Sequence, residues 1–385
     1  MIGRVQSPRI IRIGGGVAAE TAEVMAQLGL SRPLIVTDTN LIALGHVERV
    51  TSVLADAKFK WGVFDGVIED PTDVCVDAGL KALAEGDYDC IIGLGGGSPM
   101  DTAKAISFMA VNDGHVRDYK APIQIDRCGL PLILIPTTGG TGSELTRWCV
   151  ITDTVRPEKY NLSGLACAAT AAIIDWEFTV TKPWRITADT AVDSLTHAME
   201  AFVSRKAFAY TDAFALSAMP LIANSVRTAC SDPENAIARE ALMLGASQAG
   251  MAFSNASVAL VHGMSRPIGA HFHVAHGLSN AMLLPEITAF SVGHAPERYA
   301  TCARVMNWAD ARDSDEVACG KLIENLRRLN DDLKVPSPKT LGFDLSEFEN
   351  KLTLMADQAL ASGSPQNNPR VPTTTEIVDL YKAIW

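Results

Sequence analysis

Asp193 and His197 stand four residues apart in a stretch with apolar residues at helical spacing, so both project from one face of a helix and can bind a single ion. Asp189 and Glu200 share that stripe, and spacing alone does not choose among the carboxylates. The segment 262–277 (HGMSRPIGAHFHVAHG) holds four of the chain's eight histidines. Pro267, Gly269 and Gly277 interrupt its helical pattern, which predicts a chain reversal that brings two distant histidines together. Imidazole and carboxylate donors suit Fe²⁺ or Zn²⁺, and a shell that can expand leaves room for a substrate oxygen. A histidine-rich loop without metal would have the same composition.

A second chemistry is carried by glycines. Gly95, Gly96, Gly97 and Ser98 follow a buried-type strand and precede a helix, with Ser98 expected as N-cap, Pro99 at the first helical position and Asp101 three residues after the cap. Such a junction aims free backbone N–H groups and the positive helix end at an anion, and a diphosphate is the natural ligand. Gly14, Gly15 and Gly16 imitate the same arrangement, with Asp38 at the end of the next strand, where an acidic side chain bonds ribose hydroxyls. If Asp38 does so, its charge repels a 2′-phosphate and favours NAD over NADP. The segment 136–144 (PTTGGTGSE) ends another strand in hydroxyls and exposed amides that suit the cofactor's phosphates and adenine side.

These groups need a scaffold. Up to about residue 180, short apolar runs alternate with helix-length amphipathic segments, the pattern of a parallel sheet covered on both faces. Strands are clearest at 32–38, 89–95 and 131–138, and helices at 18–28, 71–85 and 99–110. After Pro183 the spacing becomes helical throughout, as at 187–203, 210–228 and 234–253. Thr373 and Glu376 form a capping-box pattern before a last helix at 374–384. The expected organisation is an α/β dinucleotide-binding domain (Rossmann-like parallel sheet) over 1–183, followed by an all-α metal- and substrate-binding domain over 184–385.

Composition narrows the function classes. With 48% hydrophobic and 20% charged residues among 385, the chain can bury two cores. A formal charge of −11 with no basic run argues against nucleic acid and anionic membrane as partners. The eight cysteines form no Cys-x-x-Cys pair, so a zinc ribbon or disulfide framework is not indicated and a reducing cytoplasm is expected. The first residues do not read as a signal peptide, and the longest apolar run, 164–174, is too short to cross a bilayer.

Five segments occur together and in order: GGGSPMDTAK (95–104), PTTGGTGSELTR (136–147), DSLTHAMEAF (193–202), HGMSRPIGAHFHVAHGLSNA (262–281) and NPRVPTTTEIVDLY (368–381). With them the chain resembles the iron-containing (group III) alcohol dehydrogenases over nearly its whole length. The resemblance implies hydride transfer between a small alcohol and NAD, reversible as aldehyde or ketone reduction, a cofactor in the cleft between the two domains, and a homodimer. It assigns Asp193, His197, His262 and His276 as metal ligands. It also assigns Asp38 to NAD preference, Gly95, Gly96, Gly97 and Ser98 to the pyrophosphate loop, Thr137, Thr138 and Thr141 to the second cofactor loop, and Lys159 to the neighbourhood of the ribose.

The chain departs from the family's pattern in three places. Asp70 stands where many members have asparagine, and Ala275 where proline is common before the last ligand. Arg266 occupies a position, four residues after His262, where many members have histidine. A guanidinium cannot relay a proton at neutral pH, so a proton path must use another group such as His271, His273 or water. Arg266 suits a carboxylate, sulfonate or phosphonate, which raises a second reading, reduction of an oxo-acid or other anionic carbonyl compound. A nucleotide- and metal-binding protein without turnover is a more distant third.

Overall fold

The computed structural model describes residues 3–156 and 158–385. These fall into two compact units, divided between Lys182 and Pro183.

The first unit is built on six parallel strands: β1 Ile10–Ile13, β2 Pro33–Val36, β3 Gly62–Phe64, β4 Cys90–Gly95, β5 Leu132–Pro136 and, past a separate hairpin, β8 Ala171–Ile174. Their spatial order is β1-β8-β5-β4-β2-β3. Helices α1 Thr21–Gln27, α2 Thr39–Ala43, α3 His46–Asp56, α4 Asp73–Ala84 and α5 Gly97–Met109 connect the strands. The central strands are apolar without alternation because both faces are covered. Ile91, Leu132 and Leu134 pack with α5 residues Ala103 and Ile106, while Ile92, Ile133 and Ile135 pack on the other face with Val24, Val50 and Leu54.

The strand order reverses between the parallel neighbours β2 and β4: the strand after β2 lies on one side of it, and β4 on the other. Ligands of open parallel sheets bind outside the carboxyl ends of strands at such a switch point. Asp38 and Gly95–Ser98 leave from those two ends.

The hairpin comprises β6 Trp148–Asp153 and β7 Glu158–Ser163, paired antiparallel. It has no counterpart in the sequence expectation, because its residues mix polar and apolar types without a clean alternation.

The second unit is all-helical: α6 Trp184–Val203, α7 Ala209–Ser231, α8 Ala236–Ala256, α9 Leu260–Phe272, α10 His276–Ser291, α11 Pro296–Val305, α12 Asp315–Asp332, α13 Leu345–Ala361 and α14 Thr374–Ala383. The capping box of α14 forms, with Thr373 Oγ1 accepting from the Glu376 amide. Its core runs from Ala191 and Leu195 on α6 through Ala249 on α8 to Met264 and Ile268 on α9 and Leu283 on α10. No described helix is long and apolar enough to cross a membrane.

Two local expectations are corrected. Ser98 is not the N-cap of α5: the helix opens at Gly97 with Gly96 as cap, and Ser98 lies inside its first turn, its carbonyl accepting from Thr102 Oγ1. Glycine lets the backbone turn into the helix earlier than a residue with Cβ would. Asp101 makes no cap either; its carboxylate accepts from Ser143 Oγ and the Val150 amide. Likewise Pro267 and Gly269 do not break the helix. Both lie inside α9, which is held by the burial of Met264 and Ile268, and the reversal falls at 273–275, where His273 takes a left-handed φ of 53°.

Candidate active site

The candidate metal cluster is assembled within the helical unit from three elements. Asp193 comes from the middle of α6, His262 from the first turn of α9 and His276 from the first residue of α10. One ligand atom from each lies within 4.8 Å of the other two. The approach of α10 to α6 depends on Gly277, where a Cβ would meet the Asp189 carbonyl oxygen at 2.4 Å. Asp193 and His262 are almost wholly buried, whereas the His276 side chain is 47% exposed, so the cluster opens on the His276 side. His197, the expected fourth ligand, lies beside these three, with Nε2 at 3.8 Å from Asp193 Oδ1 and its ring stacked between Phe253 and His262.

The carboxylates that spacing left open are separated by their partners. Asp189 is bound by Arg185 one turn earlier on α6. Glu200 accepts from the amides of Ala259 and Val261 at 2.9 and 2.6 Å, and lies 2.7 Å from His262 Nδ1. The imidazole therefore donates from Nδ1 and presents Nε2, which stands 3.4 Å from Asp193 Oδ1. Asp193 alone remains to supply an oxygen. Burial by itself would push its carboxyl up, but the imidazoles of His197, His276 and His262 hold it well below the usual carboxylate range. For His262, burial works against the charged form, and the hydrogen bonds to Asp193 and Glu200 outweigh it and raise the pKa.

Asn280 was not among the expected site residues. Its Nδ2 lies 2.6 Å from Asp193 Oδ1, 3.2 Å from His262 Nε2 and 3.3 Å from His276 Nε2, while its Oδ1 is buried without a partner. A weakly positive amide group thus sits among the three candidate ligand atoms. Asn280 follows His276 by four residues, a same-face spacing that could have flagged it.

The remaining expected residues in this unit diverge. Arg266 donates from Nη1 to Ser364 Oγ at 3.0 Å. His271 Nε2 is engaged with Gln358 Oε1 at 2.8 Å. His273 caps α9 through its backbone and is exposed, with no side-chain hydrogen bond among the described residues.

In the α/β unit, three strand ends converge. Gly95 has φ of 153° and would place a Cβ 2.4 Å from Pro99 Cγ, so only glycine fits. A Cβ at Gly96 or Gly97 would meet the methyls of Thr138 and Thr141 at 3.4 and 3.3 Å, which puts the two loops side by side. The hydroxyls of Thr37, Thr137 and Thr138 are buried with no partner among the described residues. Buried polar atoms are normally paired, so these donors suit a ligand with phosphate or hydroxyl oxygens. Asp38 Oδ1 caps α2 by accepting from the amides of Asn40 and Leu41 at 2.9 and 3.1 Å, which leaves Oδ2 uncommitted.

Lys159 on β7 is 2.6 Å from Asp70 Oδ1, a pair that ties the hairpin to the segment before α4. Lys104, not singled out in the sequence, is fully buried: its Nζ lies within hydrogen-bonding distance of four acceptors, Ser143 O and Oγ, Thr146 Oγ1 and Trp148 O, which share its three protons. It fastens the 137–146 loop to α5.

Comparison with known proteins agrees with both halves. Residues 8–176 match the family described as iron-containing alcohol dehydrogenase, and residues 187–385 match its C-terminal model, the Fe-containing alcohol dehydrogenase family, C-terminal. The chain is 34% identical over 371 residues to an NAD-dependent methanol dehydrogenase of Bacillus methanolicus, covering 96% of each chain. It is 35% identical over 373 residues to a lactaldehyde reductase of Escherichia coli (strain K12), again covering 96% of each. Among solved structures, a 1,3-propanediol oxidoreductase superposes with a TM-score of 0.96 at 32% identity, covering 100% of both chains.

Proposed function

The chain belongs to the iron-containing alcohol dehydrogenase family, and from that premise we propose that it interconverts small alcohols with their aldehydes or ketones, using NAD and a divalent metal, Fe²⁺ or Zn²⁺. The observation that carries this reading is the convergence of Asp193, His262 and His276 to within 4.8 Å. Three nitrogen and oxygen donors with a partly exposed third member suit a cation that keeps a position for substrate. When bound, such a cation would supply Lewis acidity toward an alcohol hydroxyl or a carbonyl oxygen, and the nicotinamide would supply a hydride acceptor or donor.

The protein's own groups do the rest. Asp193, His197, His262 and His276 hold the cation, with Glu200 fixing which nitrogen His262 offers. Gly95, Gly96, Gly97 and Ser98 receive the pyrophosphate, backed by the free hydroxyls of Thr137 and Thr138, while Thr141 keeps the two loops in register. Asp38 Oδ2 would bind the ribose hydroxyls, with Lys159 assigned to the neighbourhood of the ribose. In the oxidative direction the alcohol proton leaves through water and His273, the histidine of the α9–α10 turn whose ring is not engaged. A cytoplasmic homodimer completes the proposal.

The test is a panel of small alcohols with NAD, and of aldehydes with NADH, read at the reduced-nicotinamide absorbance band. Turnover with metal and its loss in chelator are expected. Equal rates in both conditions would refute the metal's part.

A further inference from the structure

Arg266 lies one turn beyond His262 on α9, where side chains four apart share a face. Arg266 is half-buried, and burial lowers its pKa, with the charge of Glu200 acting in the other sense. Glu200 is already committed to two amides and His262. The Nη1 bond to Ser364 is the one hydrogen bond of the Arg266 guanidinium among the described residues, and no carboxylate pairs with it. Arg117, Arg49 and Arg298, also partly buried, pair with Asp73, Asp175 and Asp212, whereas the buried Arg239 spends its donors on the Pro233 carbonyl and the Thr187 hydroxyl. A half-buried charge without a counter-charge is costly in proportion to its burial, and in a chain of net charge −11 carboxylates are not scarce.

The unfilled donors are Nε and Nη2, which form the planar edge that takes two oxygens of one anion at once. We propose that this edge of Arg266 is an anion receptor beside the metal cluster, and that the preferred substrates are short aldehydes and alcohols carrying a carboxylate or sulfonate a few carbons from the reacting carbon. One helical turn of about 5.4 Å separates the ligand from the receptor along α9, a span that two or three carbons bridge. The inference rests on the dehydrogenase reading above and narrows its substrate class.

Two measurements on the metal-loaded enzyme test it. The first compares 4-oxobutanoate with pentanal, aldehydes of similar size, under NADH. The parent should favour the anion at least about tenfold in kcat/KM, and Arg266→Met should lower that ratio about ten- to a hundredfold, mainly through KM. Arg266→Lys, which keeps the charge and loses the fork, should fall between them. The second omits the nicotinamide and measures 4-hydroxybutanoate binding by calorimetry, with Arg266→Met weakening it by a similar factor at unchanged metal content.

A parent that prefers pentanal, or a ratio that does not move in either variant, overturns the proposal, and the parent's preference needs no variant to fold. Turnover of pentanal without preference leaves the dehydrogenase reading standing and removes only this one. If neither aldehyde reacts, the substrate assignment falls together with the dehydrogenase reading, and Arg266-dependent binding of 4-hydroxybutanoate would then show an anion site without that chemistry.

Discussion

His262 Nδ1 lies 2.7 Å from a Glu200 oxygen that also accepts the Ala259 amide, so the residue that holds the entry to α9 in place also decides which imidazole nitrogen faces Asp193. Ring orientation and tautomer are thereby set before any cation arrives, and second partners of this kind govern metal affinity as much as the ligands do. Glu200→Gln should keep the fold and lower metal affinity about ten- to a hundredfold. Competition with a chromogenic chelator reads this directly; unchanged affinity would make Glu200 a helix-capping residue only.

Asp38 has two separable duties. Its Oδ1 caps α2, and Oδ2 is available to the ribose. Asp38→Asn keeps the cap and removes the charge, whereas Asp38→Gly also gives up the side-chain cap at a cost of a few tenths of a kcal/mol. Both should raise kcat/KM for NADP relative to NAD. A parent that uses the two cofactors equally would contradict the assignment.

Lys104 ties the 137–146 loop to α5 through four acceptors. Lys104→Met leaves those acceptors and Asp101 buried without it, which should cost about 2 to 3 kcal/mol, or about 5 to 10 °C in Tm. KM for NAD should rise with little change for the alcohol. Calorimetry and a cofactor titration check the two halves separately.

His46 is buried, with Nε2 3.1 Å from Thr181 Oγ1 and its ring edge-on to Phe178. Burial first, then the charges of Lys182 and Arg49, push its pKa down from 6.5 to about 4, against an opposing pull from Asp38. Between those two values the unfolded chain binds a proton that the folded protein refuses, so stability falls as pH drops from about 6.5 to about 4. In a Tm series from pH 7 to 4, His46→Gln should lose less than the parent over that window. Parallel curves would show that His46 does not contribute.

Much of this arrangement was legible in the sequence, for reasons that particular residues make clear. Apolar runs such as 89–95 and 131–138 reported their burial on both faces, and the i, i+4 pair Asp193 and His197 reported a shared helix face. The choice between Asp189, Asp193 and Glu200 was not legible from spacing, because it depends on Arg185 and His262, which claim the other two carboxylates. Local rules failed where packing overrode them: Pro267 is carried inside α9 by the buried Met264 and Ile268 on either side. The β6–β7 hairpin and the short edge strand β3 lacked a pattern strong enough to read, and nothing in the sequence around Lys104 marks it as buried.

On the proposed function, a metal held by Asp193, His197, His262 and His276 should be required for the chemistry rather than for the fold. Stripping the enzyme with chelator, confirming native secondary structure and NAD binding, and then titrating Fe²⁺ or Zn²⁺ back while recording alcohol oxidation tests it most directly. Activity should be absent in the stripped protein and rise linearly to a break at one ion per chain, and His262→Ala should bind NAD normally yet give no such rise. Full turnover by the metal-free protein, or by His262→Ala, would contradict the account.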